Sequence, residues 1–252
     1  MYDIIQFLLL YLINICFSKK DAYVRKYNLI VTPSCSESAN LNIPDTFYTS
    51  NEAIQDFKNR IEHILTHVNP YFRKPWSDLP EVIFSIQPEN EPRFEANPNW
   101  MENVTSYIKV LAPSLLVSSG GPSGGLPKPS PDTVASIPSV DLLSLHNYSN
   151  NITEELLENR KAAVQYNKRF FLEEFGFGNY NNSQNQALRY TVAIDQARII
   201  GETPWMFWML GPAPSENSLN IFPGNLAYDT VVQPEAINAS QQLSQQSWPE
   251  IW

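Results

Sequence analysis

Two apolar runs in this chain of 252 residues end in acids: "FSIQPENEPRF" (84–94) carries Glu89 and Glu91 ahead of Pro92, and "RFFLEEFGF" (169–177) carries Glu173 and Glu174. Continuous apolar runs of this length read as strands covered on both faces. A carboxylate inside such a strand would be costly to bury, whereas one at its last residue can leave the core and face a ligand. Two carboxyl groups brought together can hydrolyse a glycosidic bond: one protonates the leaving oxygen and, in retaining enzymes, the other attacks the anomeric carbon from about 5–5.5 Å away. Neither metal nor cofactor is needed. Apolar surroundings and a negative neighbour keep one acid protonated, while hydrogen-bond donors keep the other ionised. Asn90, His146 and Tyr148 supply polar groups at neighbouring strand ends.

The elements that must position these acids alternate. Strand-like segments are "YNLIVTPS" (27–34), "EVIFSIQ" (81–87), "LLVSSGG" (115–121), "VDLLSLHNY" (140–148), "RFFLEEFGF" (169–177) and "PWMFWML" (204–210). Helical periodicity marks 51–68, 100–112, 153–167, 185–200 and 233–246. Apolar strands separated by amphipathic helices predict a parallel sheet with both faces covered. The strand ends near Glu91, Ser118, His146, Glu174 and Trp208 are 27, 28, 28 and 34 residues apart. An α/β fold of the (β/α)8 barrel type spends about 30 residues per unit and presents its catalytic groups where strands finish. Glu91 and Glu174 are then three units apart, on strands facing each other across the barrel. The segment 120–132 is rich in glycine and proline but suits a strand-to-helix loop, so residues 19–252 are expected to form one catalytic domain.

Composition narrows the partners. With a net charge of −9, only 17 Lys and Arg, and no basic cluster longer than two residues, the chain lacks the footprint of a nucleic-acid binder. Cys16 and Cys35 offer no disulfide scaffold or metal spacing, and His63 and His67, one turn apart, decorate a helix face without a third ligand. The run "IIQFLLLYLINICF" (4–17) is too short for an untilted span of about 20 residues. Residues 1–18 therefore carry three readings: an atypical signal or anchor, an internal element of the fold, or a misplaced chain start. Five sequons (Asn103, Asn147, Asn151, Asn181, Asn238) lean towards secretion, with no membrane partner.

"ENEPR", "LHNY", "EEFG" and "FWML", in that order and at that pitch, resemble glycoside hydrolase family 5 of clan A, in its β-mannanase-like part. The resemblance runs from about residue 21 to the C-terminus. It implies Glu91 as acid/base, Glu174 as nucleophile, Asn90 on the sugar 2-hydroxyl, His146 and Tyr148 flanking the sugar with the Tyr148 hydroxyl donating to Glu174, and Trp208 as the floor under its apolar face. Arg93 would hold the acid's loop. Glu89 and Glu173 would stay outside the chemistry, Glu173 in an ion pair or a solvated contact with the helix layer. The other tryptophans, Trp76 and Trp100 among them, read as packing or loop aromatics. A glycan on Asn147 would obstruct substrate, so that sequon is taken as accidental. The front of the family pattern is missing: two units should precede residue 27, where 26 residues stand, and no arginine is placed to meet the nucleophile. The expectation is a partial barrel lacking the first one or two βα units. The implied protein is a secreted monomer that cleaves internal β-1,4 linkages of mannan without a cofactor; the alternatives are a β-1,4-glucan or other β-hexosan hydrolase and a non-catalytic polysaccharide-binding relative.

Overall fold

The computed structural model describes residues 8–11, 23, 26–29, 46–92, 97, 99–121, 130–149, 152–178, 182–201, 203–212 and 219–243. The expectations at 30–34, Cys16, Cys35, Arg93, Asn151, Asn181, Trp248 and Trp252 lie outside these residues. Contacts divide the chain into two compact units, Met1–His146 with Glu158–Phe171, and Asn147–Leu157 with Leu172–Trp252.

In the first unit, helix α1 (Asn51–Thr66) starts at Ser50, whose side chain accepts from the Ala53 N–H, and buries Ala53, Ile54, Phe57, Ile61 and Leu65 at helical spacing. His63 and His67 are exposed. Helix α2 (Trp100–Leu111) buries Trp100, Met101, Val104, Thr105 and Ile108. Between these helices Phe57 stacks on Trp100 at 6.0 Å and Tyr48 meets the same indole edge-on at 4.9 Å. Each of these buried rings contributes about 1.5–3 kcal/mol by leaving water. The first unit also holds a parallel sheet ordered β1 (Leu8–Tyr11), β2 (Ile83–Gln87), β3 (Leu116–Val117). A parallel bridge between Ser118 and Leu142 brings β4 (Leu142–Asn147) alongside β3. Helix α3 (Pro131–Ala135), capped by Ser130, precedes β4. The start of β4 is pinned by Asp141, whose carboxylate accepts from Lys109 Nζ at 2.7 Å and from the Val117 N–H at 2.9 Å.

The strand beside Ile83–Gln87 is Leu8–Tyr11, with Leu10 opposite Ile86. Lys26 and Tyr27, at the start of the strand expected over 27–34, are instead helical, and both side chains bond Asp56 on α1. Among the described residues the strands succeed one another in parallel and do not close into a ring, in keeping with the partial barrel expected.

Helix α4 (Ile152–Gln165) leads into β5 (Arg169–Phe175), which forms a two-stranded sheet with β4. In the second unit the end of β5 continues onto the segment 204–208: the Leu172 N–H donates to the Pro204 carbonyl, Met206 to Leu172 and Trp208 to Phe175, at 2.8–2.9 Å. The expected strand at 204–210 is paired along this edge but reduced to bridges at Trp205 and Leu210. Helix α5 (Ser183–Ile199), capped by Asn182, buries Gln186, Ala187 and Tyr190 in its first turns. Tyr190 packs with Phe175 and Phe177, and Phe175 with Trp205. A π-helical turn (Tyr228–Val232) runs into helix α6 (Gln233–Leu243). Among the described residues no helix is long and apolar enough to cross a membrane.

Candidate active site

The first unit holds Glu91. Its backbone is left-handed, with φ of 52°, and its N–H donates to the Gly120 carbonyl at 2.8 Å. Left-handed φ is uncommon for a residue other than glycine and costs on the order of 1 kcal/mol or more, so the surrounding contacts must hold it there. His146 does part of this: its Nδ1 lies 3.0 Å from Glu91 Oε1, with the imidazole fully buried and the carboxylate one-quarter exposed. The ring is seated against Gly121, where an added Cβ would lie 2.1 Å from His146 Cδ2; at Gly120 it would lie 2.0 Å from the Glu89 carbonyl oxygen. Both glycines have positive φ, 76° at Gly120 and 58° at Gly121. Beneath them Ser144 Oγ accepts from the Gly121 N–H at 2.6 Å and lies 3.1 Å from Ser119 Oγ, while the Ser144 N–H donates back to Ser119 Oγ. The run "SSGG" is therefore a fitted seat for the histidine, a function that its reading as the end of the strand 115–121 missed.

Glu89 is turned another way. It is fully buried and accepts from the Tyr48 hydroxyl at 2.9 Å, in the aromatic layer under α1 and α2. Asn90 between the two acids is half-buried, and its Oδ1 has no hydrogen-bond partner among the described residues.

The second unit holds Glu174, 6% exposed near the end of β5. The Tyr148 hydroxyl donates to Glu174 Oε2 at 2.7 Å. Gly176, two residues on, faces the backbone of Trp208: a Cβ there would come 2.1 Å from the Trp208 carbonyl oxygen and 3.5 Å from Tyr148 Cε1. The glycine of "EEFG" is thus the slot into which the Trp208 backbone fits. Tyr148 and Trp208 are 37% and 40% exposed, so both rings keep an accessible surface. The Trp208–Met209 peptide is cis. Glu173 is 1% exposed, which corrects the expectation of a solvated contact, because β5 is covered along its length. Asn147 is 2% exposed, and its Oδ1 accepts from the Ser149 N–H and hydroxyl, which closes that sequon to a glycan in the folded protein.

Each unit thus presents one carboxylate at the end of a parallel strand, held by one ring from the "LHNY" segment and by a glycine that lets the backbone close up. Such a group can give or take a proton, or attack carbon, and the open tryptophan face can receive the apolar side of a sugar.

Residues 35–152 match the family model described as GH family 5 beta-mannosidase-like, a span that includes Glu91, His146 and Tyr148 and stops short of Glu174. Mannan endo-1,4-beta-mannosidase 1 of Arabidopsis thaliana is 32% identical over 90 residues, 33% of this chain and 22% of the relative. Mannan endo-1,4-beta-mannosidase 4 of Oryza sativa subsp. japonica is 34% identical over 87 residues, 32% of this chain and 19% of the relative. The matched stretch spans about a fifth of the length of these curated relatives. Among solved structures, the endo-1,4-beta-mannanase from Rhizomucor miehei superposes with a TM-score of 0.72 at 19% identity, covering 95% of this chain and 72% of that one. The hyperthermostable endo-1,4-beta-D-mannanase from Thermotoga petrophila RKU-1, solved with maltose and glycerol, gives 0.71 at 21% identity, covering 94% and 75%. The chain therefore carries a glycoside hydrolase family 5 mannosidase-like segment on the α/β fold of the endo-mannanases, which are (β/α)8 barrels.

Proposed function

We propose that this relative of the family 5 mannanases is a retaining glycoside hydrolase that cleaves internal β-1,4 linkages of mannan-type polysaccharide by double displacement. The observation that carries the reading is that the two acids have separate ring partners, His146 for Glu91 and Tyr148 for Glu174. Different partners are what two carboxyl groups need to take different protonation states at one pH. Glu174 attacks the anomeric carbon while Glu91 protonates the departing glycosidic oxygen. In the second half-reaction Glu91 takes a proton from water, which displaces the sugar from Glu174 with net retention. The Asn90 amide bonds the sugar 2-hydroxyl, an interaction that tightens as positive charge develops on the ring. The Tyr148 hydroxyl orients Glu174, and the open Trp208 face carries the sugar ring. The names of the curated relatives support mannan over other β-hexosans. The protein acts as a secreted monomer on a neutral polysaccharide, a location supported by sequons at the exposed Asn103 and Asn238.

The test is to incubate the purified full chain with mannan, glucomannan and carboxymethylcellulose and to measure reducing ends, with Glu174→Gln as control. Release from the mannans that is lost in the variant is the expected result. Release from carboxymethylcellulose alone would move the substrate to β-glucan, and retained polysaccharide binding without any release would replace hydrolysis by binding.

A further inference from the structure

We propose that Gln186 is a positioning residue for Glu174, acting through Phe177, Gly176 and Tyr148; its catalytic meaning rests on the hydrolase reading above. Gln186 lies in the first turn of α5 and is 1% exposed. A buried amide is tolerated when both of its ends are bonded, and here they are. Nε2 donates to the Phe177 carbonyl at 2.7 Å, and Oε1 accepts from Asn225 Nδ2 at 3.2 Å. Asn225 is held in turn, because its Oδ1 accepts from the Tyr228 N–H at 3.2 Å. The clamp thus ties the carbonyl three residues beyond Glu174 to two helical segments. The backbone of Gln186 is itself fixed within the turn capped by Asn182, through its N–H to the Asn182 carbonyl at 3.1 Å.

The clamped carbonyl belongs to the residue after Gly176. That glycine lies close against the Trp208 backbone and beside the phenol: a Cβ added to it would fall 2.1 Å from the Trp208 carbonyl oxygen and 3.5 Å from Tyr148 Cε1. Releasing the Phe177 carbonyl therefore frees the backbone that lies beside the phenol ring whose hydroxyl donates to Glu174 at 2.7 Å. Hydrogen bonding of that kind tolerates displacements of only a few tenths of an ångström. Gln186 touches neither acid. Its effect passes through the backbone from Phe177 to Glu174 and the packing around Gly176.

The experiment uses the full chain labelled with 13C at tyrosine Cζ, with the Tyr148 resonance assigned by Tyr148→Phe. Gln186→Met removes both hydrogen bonds at nearly constant volume, and Gln186→Glu keeps an acceptor for Asn225 while losing the donor to Phe177, so one variant remains if the other fails to fold. The expected result is movement of the Tyr148 Cζ signal towards that of a free phenol in each folded variant. On mannan, kcat is expected to fall about 10- to 100-fold, as misplacement of a reacting group does, with KM within about threefold of the parent. An unchanged Tyr148 signal in a folded variant overturns the proposal, as does a loss confined to KM. A parent chain silent on every polysaccharide sinks the hydrolase reading and leaves the Tyr148 signal to decide the role of Gln186.

Discussion

Replacing Gly121 by alanine tests the seat of His146 in quantitative terms. The new methyl would lie 2.1 Å from Cδ2 and 2.3 Å from Nε2 of a fully buried ring. To restore ordinary contact near 3.4 Å the imidazole must retreat by about 1.3 Å. Glu91 cannot simply follow, because its N–H is bonded to the neighbouring Gly120 carbonyl at 2.8 Å. The 3.0 Å contact between His146 and Glu91 is then lost, at about 1–3 kcal/mol for breaking a bond to a buried polar group. Alanine at a φ of 58° adds about 1–2 kcal/mol of backbone strain. The expected destabilisation is about 3–4 kcal/mol, a fall in Tm of about 10 °C for a chain of this size. Gly224→Ala is the control: its φ is 97°, yet nothing lies within 4 Å of the added methyl, so only the backbone cost of about 1–2 kcal/mol should appear. Thermal melts and urea curves on both variants read the difference, and mannan hydrolysis by Gly121→Ala should fall at least about 100-fold. A Gly121→Ala protein within about 1 kcal/mol of the Gly224→Ala protein would show that the histidine is not held by this contact.

Three further outcomes are expected. Burial pushes the Tyr190 phenol up to about 12. The folded state then holds a proton that the unfolded chain releases near pH 10, so stability should decline between about pH 10 and 12 by ~3 kcal/mol, and urea midpoints should show Tyr190→Phe removing that share of the decline. Tyr48→Phe leaves the buried Glu89 without its 2.9 Å donor and should cost about 1.5–3 kcal/mol in denaturant unfolding, with mannan hydrolysis little changed. Trp208→Ala removes an open aromatic surface without touching either acid; KM for mannan oligosaccharides should rise about 10- to 100-fold while the melting curve stays close to that of the parent.

Local patterns were legible in the sequence, and distant fits were not. Apolar residues at helical spacing placed α1 and α2 to within a residue or two, since periodicity is a local property. The positions of Glu91 and Glu174 at strand ends followed from apolar runs that stop in acids, and the bond from Tyr148 to Glu174 followed from the family's motif order. The run at 4–17 could not be resolved by composition, because a buried strand and a signal core are equally apolar. Its residues Leu8–Tyr11 find their partner more than 70 residues away, in Ile83–Gln87. Tyr27, read as the first residue of a strand, is helical and with Lys26 bonds Asp56 on α1, a contact that no window of sequence contains. The same holds for Gly121, Gly176 and Gln186. Each looks ordinary in the chain and acquires its meaning from an atom on another element.

The backbone at Glu91 has a further consequence. A glutamate twisted into a conformation that asparagine or glycine adopts more easily is a tension that its N–H bond to Gly120 and its side-chain contact with His146 must offset. Relieving it by Glu91→Asn would return about 1 kcal/mol of backbone strain but give up the contact with His146, worth as much or more, so the variant should melt no higher than its parent while losing any mannan hydrolysis.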